Sequence, residues 1–424
     1  MVATDRQAAM SAEKQMPDDV LRLSAGEIRR LPGVTPWVRA ALMILTNVRW
    51  GQLLIVLPDG RRLCFEGPEG EECGILIVQD LRFAKRLLTG GGIGFAEAYL
   101  DGWWDSPDLG ALITVIAHNN AAIGEQMRGK LWVRMLEGVR HNLLRRNSRR
   151  GARKNIHHHY DLGNAFYTEW LDETMTYSSA KFASDGEPLA QAQQNKYRAL
   201  AQSMGLRPGS HVLEVGSGWG GFAEFAASEI DCRVTGITIS AEQYEYARRR
   251  MFEKGLNEKV DIRLQDYRDV AEQYDNVASI EMFEAVGEQY WPVFFGKLRD
   301  RLAPGGTAGL QIITIADAQF DAYRKGSDFI QRYIFPGGML PSVTALREQV
   351  ARAGLQWRDA ITFGHDYAET LLQWRQRFLA RWPEISEQGF DERFRRLWTY
   401  YLAYCEGGFR SGNTDVTQIC LARN

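Results

Sequence analysis

A chain of 424 residues, 45% hydrophobic and 25% charged, has room for two or three soluble domains and lacks the composition of a disordered or fibrous protein. Its net charge of −2 selects no class of partner, and its five scattered cysteines, with no C-x-x-C pair, argue for a reducing compartment and against a structural zinc. No secretory leader is visible at the N-terminus, and no apolar stretch reaches the ~18 residues of a spanning helix. Any meeting with a membrane is therefore expected from its cytoplasmic surface.

Residues 1–24 read as a disordered tail. An amphipathic helix is expected from Pro36 to Trp50, followed by short strands at Gly51–Leu57, Arg62–Phe65 and Gly74–Val78. Pro58-Asp59-Gly60 and Gly67–Gly70 read as hairpin turns between them. The glycines after Thr89 read as a turn before a core helix, so residues 25–120 form a small α+β domain suited to lipid docking. Residues 121–155 read as a basic helical linker. Its 126–154 portion carries ten Lys or Arg against the single acid Glu137. Two readings stay open there: a solvated linker, or a surface for anionic lipid head groups. Nucleic acid is the weaker third, because no recognition motif accompanies the charge.

From residue 156 to the end, strand and helix patterns alternate, which predicts an α/β unit with a mostly parallel, doubly wound, Rossmann-like sheet. Strands are expected at His211–Val215, Arg233–Ile239, Val260–Leu264, Asn276–Glu281 and Thr307–Ile313, and helices at Ala241–Lys254, Tyr290–Leu302 and Met339–Arg352. Asp366 to Arg410, rich in Trp, Tyr, Arg and Leu, reads as helices covering the site. His157, His158 and His159 are adjacent and therefore do not converge, so no metal site is expected.

The unit is organised around Val212–Gly221, a strand running into a glycine turn and then an apolar helix. Gly216, Gly218 and Gly220 allow a sharp turn and a close ligand, and no Lys-Ser/Thr follows as a phosphate loop would need. Gly221 also satisfies the dinucleotide spacing, so the glycines alone leave both readings open. The second strand ends Gly236–Ser240 with no acid at its tip, where a dinucleotide fold would hold the ribose; Gln243 is the candidate for that role. Asp266, after the third strand, could read an adenine edge.

With its glutamate at 214, two residues before the first glycine, the pattern resembles the first motif of class I methyltransferases. Longer segments resemble one family, the cyclopropane fatty acid synthases, including the mycolic acid cyclopropane synthases. They are His159–Asn164, Met175–Ala180, Val212–Gly221, Gly236–Gln243, Leu264–Asp269, Ser279–Gly287, Tyr333–Ser342, Phe363–Tyr367 and Tyr401–Arg410, with Gly91–Trp104 in the first domain. The resemblance covers the chain from about residue 35 onward.

It implies methyl transfer from S-adenosylmethionine to a cis double bond of a phospholipid acyl chain, then proton loss and ring closure, with a bicarbonate ion as base. An alkene is a poor nucleophile, so such a site must align the partners, exclude water and steady a cation, for which aromatic rings serve. By motif match the cofactor would meet Tyr177, Ser178, Gly216, Gly218, Trp219, Thr238, Ile239, Gln243, Gln265, Asp266 and Ile280. The bicarbonate would lie among Ser179, Glu284, Gln311, Ile313 and Tyr367, with Glu284 orienting it and Tyr367 donating to it. The resemblance further implies peripheral attachment to an anionic membrane and a homodimer. Ser179 and Gln311 depart from the family's usual Cys and His. That keeps two alternatives in view: a methylene- or methyl-branched product, and a non-catalytic lipid-binding protein.

Overall fold

The computed structural model describes residues 20–120, 122 and 162–423. The first 19 residues of the tail expected over 1–24, the basic stretch 126–154 and the histidines at 157–159 lie outside the described residues. The chain divides into two units, Met1–Leu131 and Trp132–Asn424.

The first unit holds a five-stranded sheet of β1 (Val20–Arg22), β2 (Trp50–Val56), β3 (Arg62–Glu66), β4 (Glu69–Val78) and β5 (Trp104–Asp105), in the order β1-β3-β2-β4-β5. Residues 20–24, expected to belong to the tail, form a strand and a helix cap instead. Val20–Arg22 pair in parallel with Arg62–Cys64, and Ser24 caps the helix Ala25–Arg30 in a reciprocal box with Glu27. The helix begun at Pro36 ends at Leu45, short of the expected Trp50. The Asn119 side chain grips the backbone of Arg49 and Trp50, and the Trp50 ring stacks on His118 at 3.7 Å, so this stretch starts a strand instead.

Pro58-Asp59-Gly60 does join an antiparallel hairpin, β2 to β3. Gly67–Gly70 does not. β4 pairs in parallel with β2, so the chain crosses the start of β2 to reach its other edge. The crossing is tight: a Cβ on Gly67 would sit 2.1 Å from the Arg49 carbonyl carbon. Gly67→Ala is therefore expected to destabilise this unit by about 3 kcal/mol. In the intact chain, amide exchange across residues 50–78 should then quicken about a hundredfold, and unchanged exchange would refute the crossing. The glycines after Thr89 form a break inside the helix Arg82–Leu100, at Gly91 (φ 58°, ψ −143°), rather than a turn ahead of it.

The second unit is built on a seven-stranded sheet. Its strands are β6 (His211–Val215), β7 (Arg233–Thr238), β8 (Val260–Leu264), β9 (Tyr274–Ile280), β10 (Leu302–Ile315), β11 (Gln356–Thr362) and β12 (Thr414–Ala422), in the order β11-β12-β10-β9-β6-β7-β8. Neighbours from β10 to β8 run parallel, while β12 is antiparallel to both β10 and β11. All five expected strands are present; β11, β12 and the helix Leu189–Met204 are additions.

Both faces of the sheet are covered, as alternation along β6 requires. Leu213 and Val215 join a core with Phe283, Phe294, Leu310 and Ile312, and Val212 joins another with Tyr197, Phe222, Phe225 and Val234. Helices follow at Gly221–Glu229, Ala241–Glu253 and Trp291–Arg301. The helix expected from Met339 begins at Val343, where Ser342 caps it. The cover from Asp366 onward is helical as expected, in Gly364–Ala380, Trp382–Glu387 and Glu392–Arg410. A buried ion pair of 2.8 Å, Arg375 to Glu406, ties its two long helices together. Winding reverses between β6 and β9, so their carboxyl ends frame the crevice where such folds place a ligand.

Candidate active site

The glycine turn leaves the end of β6 with Gly216, Gly218 and Gly220 all at positive φ (84°, 54° and 85°). Such backbone strongly favours glycine. A Cβ on Gly218 would meet nothing within 4 Å, which leaves space above the turn. Beside it, Ser217 Oγ and Glu214 Oε2 are buried polar atoms with no protein partner among the described residues. Burial pushes the Glu214 carboxyl well up. An open cradle ringed by unmatched polar atoms fits a nucleoside cofactor such as S-adenosylmethionine.

The other expected cofactor residues gather at neighbouring strand ends. Thr238 closes β7 and donates to Gln243 Oε1 at 2.9 Å, and half-buried Ile239 follows it. The Gln265 amide donates to the Thr238 carbonyl at 2.9 Å. Asp266 caps a short turn and receives Arg268 at 2.8 and 2.5 Å, so the candidate adenine reader is already an ion pair. Ile280 ends β9 opposite Gln311. Trp219 Nε1 donates to Asn164 Oδ1 at 2.7 Å.

An aromatic wall runs from the glycine turn. Trp219 lies 5.1 Å from Tyr167, Tyr167 lies 5.5 Å from Tyr177, and Tyr177 lies 5.2 Å from Trp374. Trp374 meets Tyr367 at 6.2 Å, and the Tyr177 hydroxyl bonds the Tyr401 hydroxyl at 2.7 Å. Arg250 Nη1 fastens the segment before Tyr177 to the turn by bonding the carbonyls of Thr174 (2.7 Å) and Trp219 (3.3 Å).

The wall ends at a carboxylate that sequence reasoning passed over. Glu281, the first residue after β9, accepts the Ser179 amide (2.9 Å) and the Gln311 side-chain amide (2.7 Å) on one oxygen. Its other oxygen accepts the Tyr367 hydroxyl at 2.6 Å. Gln311 is held in this orientation because its own oxygen receives Gln418 Nε2 at 3.0 Å. The Ser179 hydroxyl turns away to its neighbour's carbonyl, Ala180 O at 2.9 Å, so only its backbone faces the site.

Glu284 stands close by, with one oxygen accepting the Ile313 amide and the other unpartnered among the described residues. Glu281 and Glu284 are half-buried, and loss of water raises both carboxyls. Glu284 is pushed up to about 8 by burial and then by the charge of Glu281. Fully buried Lys196, bonded to Ser178 Oγ at 2.6 Å, is pulled down to about 7 by burial, while its charge opposes the rise at Glu281. All five residues expected to hold a bicarbonate are thus together, but the ion does not fit them. The Ser179, Gln311 and Tyr367 donors already serve Glu281.

Among the described residues no cluster of His, Cys, Asp or Glu could hold a metal ion, and no helix is long and apolar enough to cross a membrane. Residues 147–419 match a family model described as mycolic acid cyclopropane synthetase. The chain is 42% identical over 380 residues to the tuberculostearic acid methyltransferase of Mycobacterium tuberculosis, covering 88% of each. It is 38% identical over 347 residues to the cyclopropane-fatty-acyl-phospholipid synthase of Escherichia coli K12, covering 82% of this chain and 87% of that one. Among solved structures, mycolic acid cyclopropane synthase complexed with SAH and CTAB superposes at a TM-score of 0.60 with 29% identity, over 64% of this chain and 98% of that one. The fold is that of the class I methyltransferases.

Proposed function

The chain belongs to the mycolic acid cyclopropane synthetase family and is an S-adenosylmethionine-dependent methyltransferase; from that premise we propose that it methylates a cis double bond in a phospholipid acyl chain and closes a cyclopropane ring. The observation that carries this is the aromatic wall joining the cofactor turn at Trp219 to the carboxylate at Glu281. When bound, S-adenosylmethionine supplies an electrophilic methyl group. Tyr167, Tyr177 and Trp374 pack ring against ring, and an electron-rich ring face offered to a carbocation in a dry site would contribute roughly 1–2 kcal/mol. Tyr367 and Gln311 fix the carboxylate where a proton must leave.

A second reading shares every step up to the cation and differs in which carbon gives up the proton. Similarity to a tuberculostearic acid methyltransferase favours it, and it ends in a branched rather than a cyclic chain. The substrate is proposed to be drawn from an anionic membrane by the basic 126–154 segment, with the protein attached from the cytoplasmic side and working as a homodimer.

One experiment addresses both readings. Purified protein receives methyl-labelled S-adenosylmethionine and anionic vesicles of cis-unsaturated phospholipid, and the released acyl chains go to mass spectrometry. A gain of one labelled methylene is expected, with fragmentation separating ring from branch. The rate should fall steeply between low and high salt. Label that never enters the acyl chains defeats the proposal, and a salt-insensitive rate removes the basic segment from it.

A further inference from the structure

We propose that Glu281 is the resident base of this enzyme, its side-chain carboxylate standing where a bicarbonate ion would otherwise be held, so that turnover needs no bicarbonate. The inference rests on the methyl transfer proposed above and assigns its proton acceptor. Three observations carry it.

The first is the match of partners. A backbone N–H, an amide N–H and a phenolic O–H all donate to Glu281, from Ser179, Gln311 and Tyr367. Three converging donors suit an ionised carboxylate, which only accepts. They are also the groups that would be needed to hold a planar oxyanion such as bicarbonate, and a second anion would find them taken.

The second is the backbone. Glu281 sits at φ 49°, left-handed for a residue with a side chain, at the carboxyl end of β9. Its amide is held there by the Gln311 carbonyl at 2.8 Å. Strain of this kind, worth about 1–3 kcal/mol, persists where the surrounding structure fixes a side chain in place.

The third is the setting. The Tyr367 ring, whose hydroxyl bonds Glu281, stacks on Phe409 at 4.4 Å and meets Trp374 edge-on, so the carboxylate lies at the end of the aromatic wall that starts at Trp219.

The step balances without an added reagent. A C–H bond of the newly attached methyl breaks, and its electron pair forms the closing C–C bond to the cationic carbon. The proton passes to a Glu281 oxygen, giving a neutral carboxylic acid that afterwards returns it to water. In the branched outcome the C–H bond broken belongs to an adjacent carbon, and its electron pair forms a double bond.

The test compares the whole wild-type chain with Glu281→Gly, which removes the carboxylate and suits the positive φ. In buffer stripped of carbon dioxide and carbonate, the wild-type rate on cis-unsaturated vesicles should stay within about twofold of its rate in bicarbonate. Glu281→Gly should lose at least about a hundredfold and recover at least about tenfold on adding bicarbonate or acetate. Separately, carbon-13 bicarbonate followed by NMR should show saturable binding to Glu281→Gly and none to the wild type.

A wild-type rate that falls about tenfold without carbonate overturns the proposal, as does saturable bicarbonate binding by the wild type. A folded Glu281→Gly that neither binds bicarbonate nor responds to it overturns it too. If no lipid is methylated under any condition, the methyl-transfer reading fails, and the NMR comparison still decides whether Glu281 occupies an oxyanion site.

Discussion

Glu281→Gln should lower turnover by about a hundredfold or more, while S-adenosylmethionine affinity, read by calorimetry, shifts less than about threefold. Gln has nearly the same shape, so the comparison isolates charge and basicity. The carboxylate accepts from three donors, and the amide that replaces it has one acceptor atom and one donor group. The amide oxygen can keep the Ser179 and Gln311 donors while Tyr367, whose hydroxyl also accepts, receives the new N–H, so the fold should tolerate the change and the base alone is lost. Glu281 accepts from Ser179, Gln311 and Tyr367 rather than from the glycine turn or Trp219, so cofactor binding should survive. Near-normal turnover would show that the carboxylate is not the base, and a collapse of cofactor affinity would show that it holds the cofactor instead.

Glu284→Gln should abolish a pH-dependent loss of stability. The Glu284 carboxyl is raised from an ordinary 4.5 to about 8, by burial and by Glu281. The folded protein therefore binds this proton more tightly than the unfolded chain does. The stabilisation is complete below the unfolded value and fades as pH rises through the folded one. Between pH 5 and pH 9 the site should cost the wild type roughly 2–4 kcal/mol, seen as a falling denaturant midpoint. Gln cannot ionise, and its oxygen can still accept the Ile313 amide, so the variant's profile should be flatter and its stability higher at pH 9. Buried Lys196 pulls the other way, since a lysine lowered to about 7 destabilises on the acid side. The decisive quantity is therefore the difference between variant and wild type. Parallel profiles would mean that Glu284 stays charged at neutral pH and is not the neutral partner of the pair.

Much of this was legible in the residues. Apolar runs bounded by glycine located β6 through β10, and the glycine spacing after Glu214 located the strand–turn–helix at Gly216–Gly220. Segment likeness also brought Ser179, Gln311, Ile313, Tyr367 and Glu284 to one place, and the structure does the same. What escaped has physical causes. β12 opens Thr-Asp and places Thr417 and Gln418 side by side, leaving only the short apolar run Ile419–Ala422 although it is buried on both faces, and β11 is exposed and polar, so neither carries the full apolar signal of a core strand. The helix Leu189–Met204 buries Gln193 and Lys196 where a core helix normally places apolar groups. Glu281 stood within a recognised segment. Its role depends on Ser179, Gln311 and Tyr367, which lie 102, 30 and 86 positions away in sequence, and no local pattern reports that meeting.

The place of β12 between β10 and β11 has a bearing on synthesis. Residues 414–422 are translated after every other strand of their sheet, yet they fill an interior slot, second from one edge. Until they emerge from the ribosome, β10 and β11 each offer an unpaired border to passing chains. Gln418, which fastens Gln311, arrives in the same stretch, so the hydrogen bonds around Glu281 are completed only once the sheet is sealed. Nascent chains stalled before residue 414 should accordingly recruit chaperones more heavily than chains released just after it.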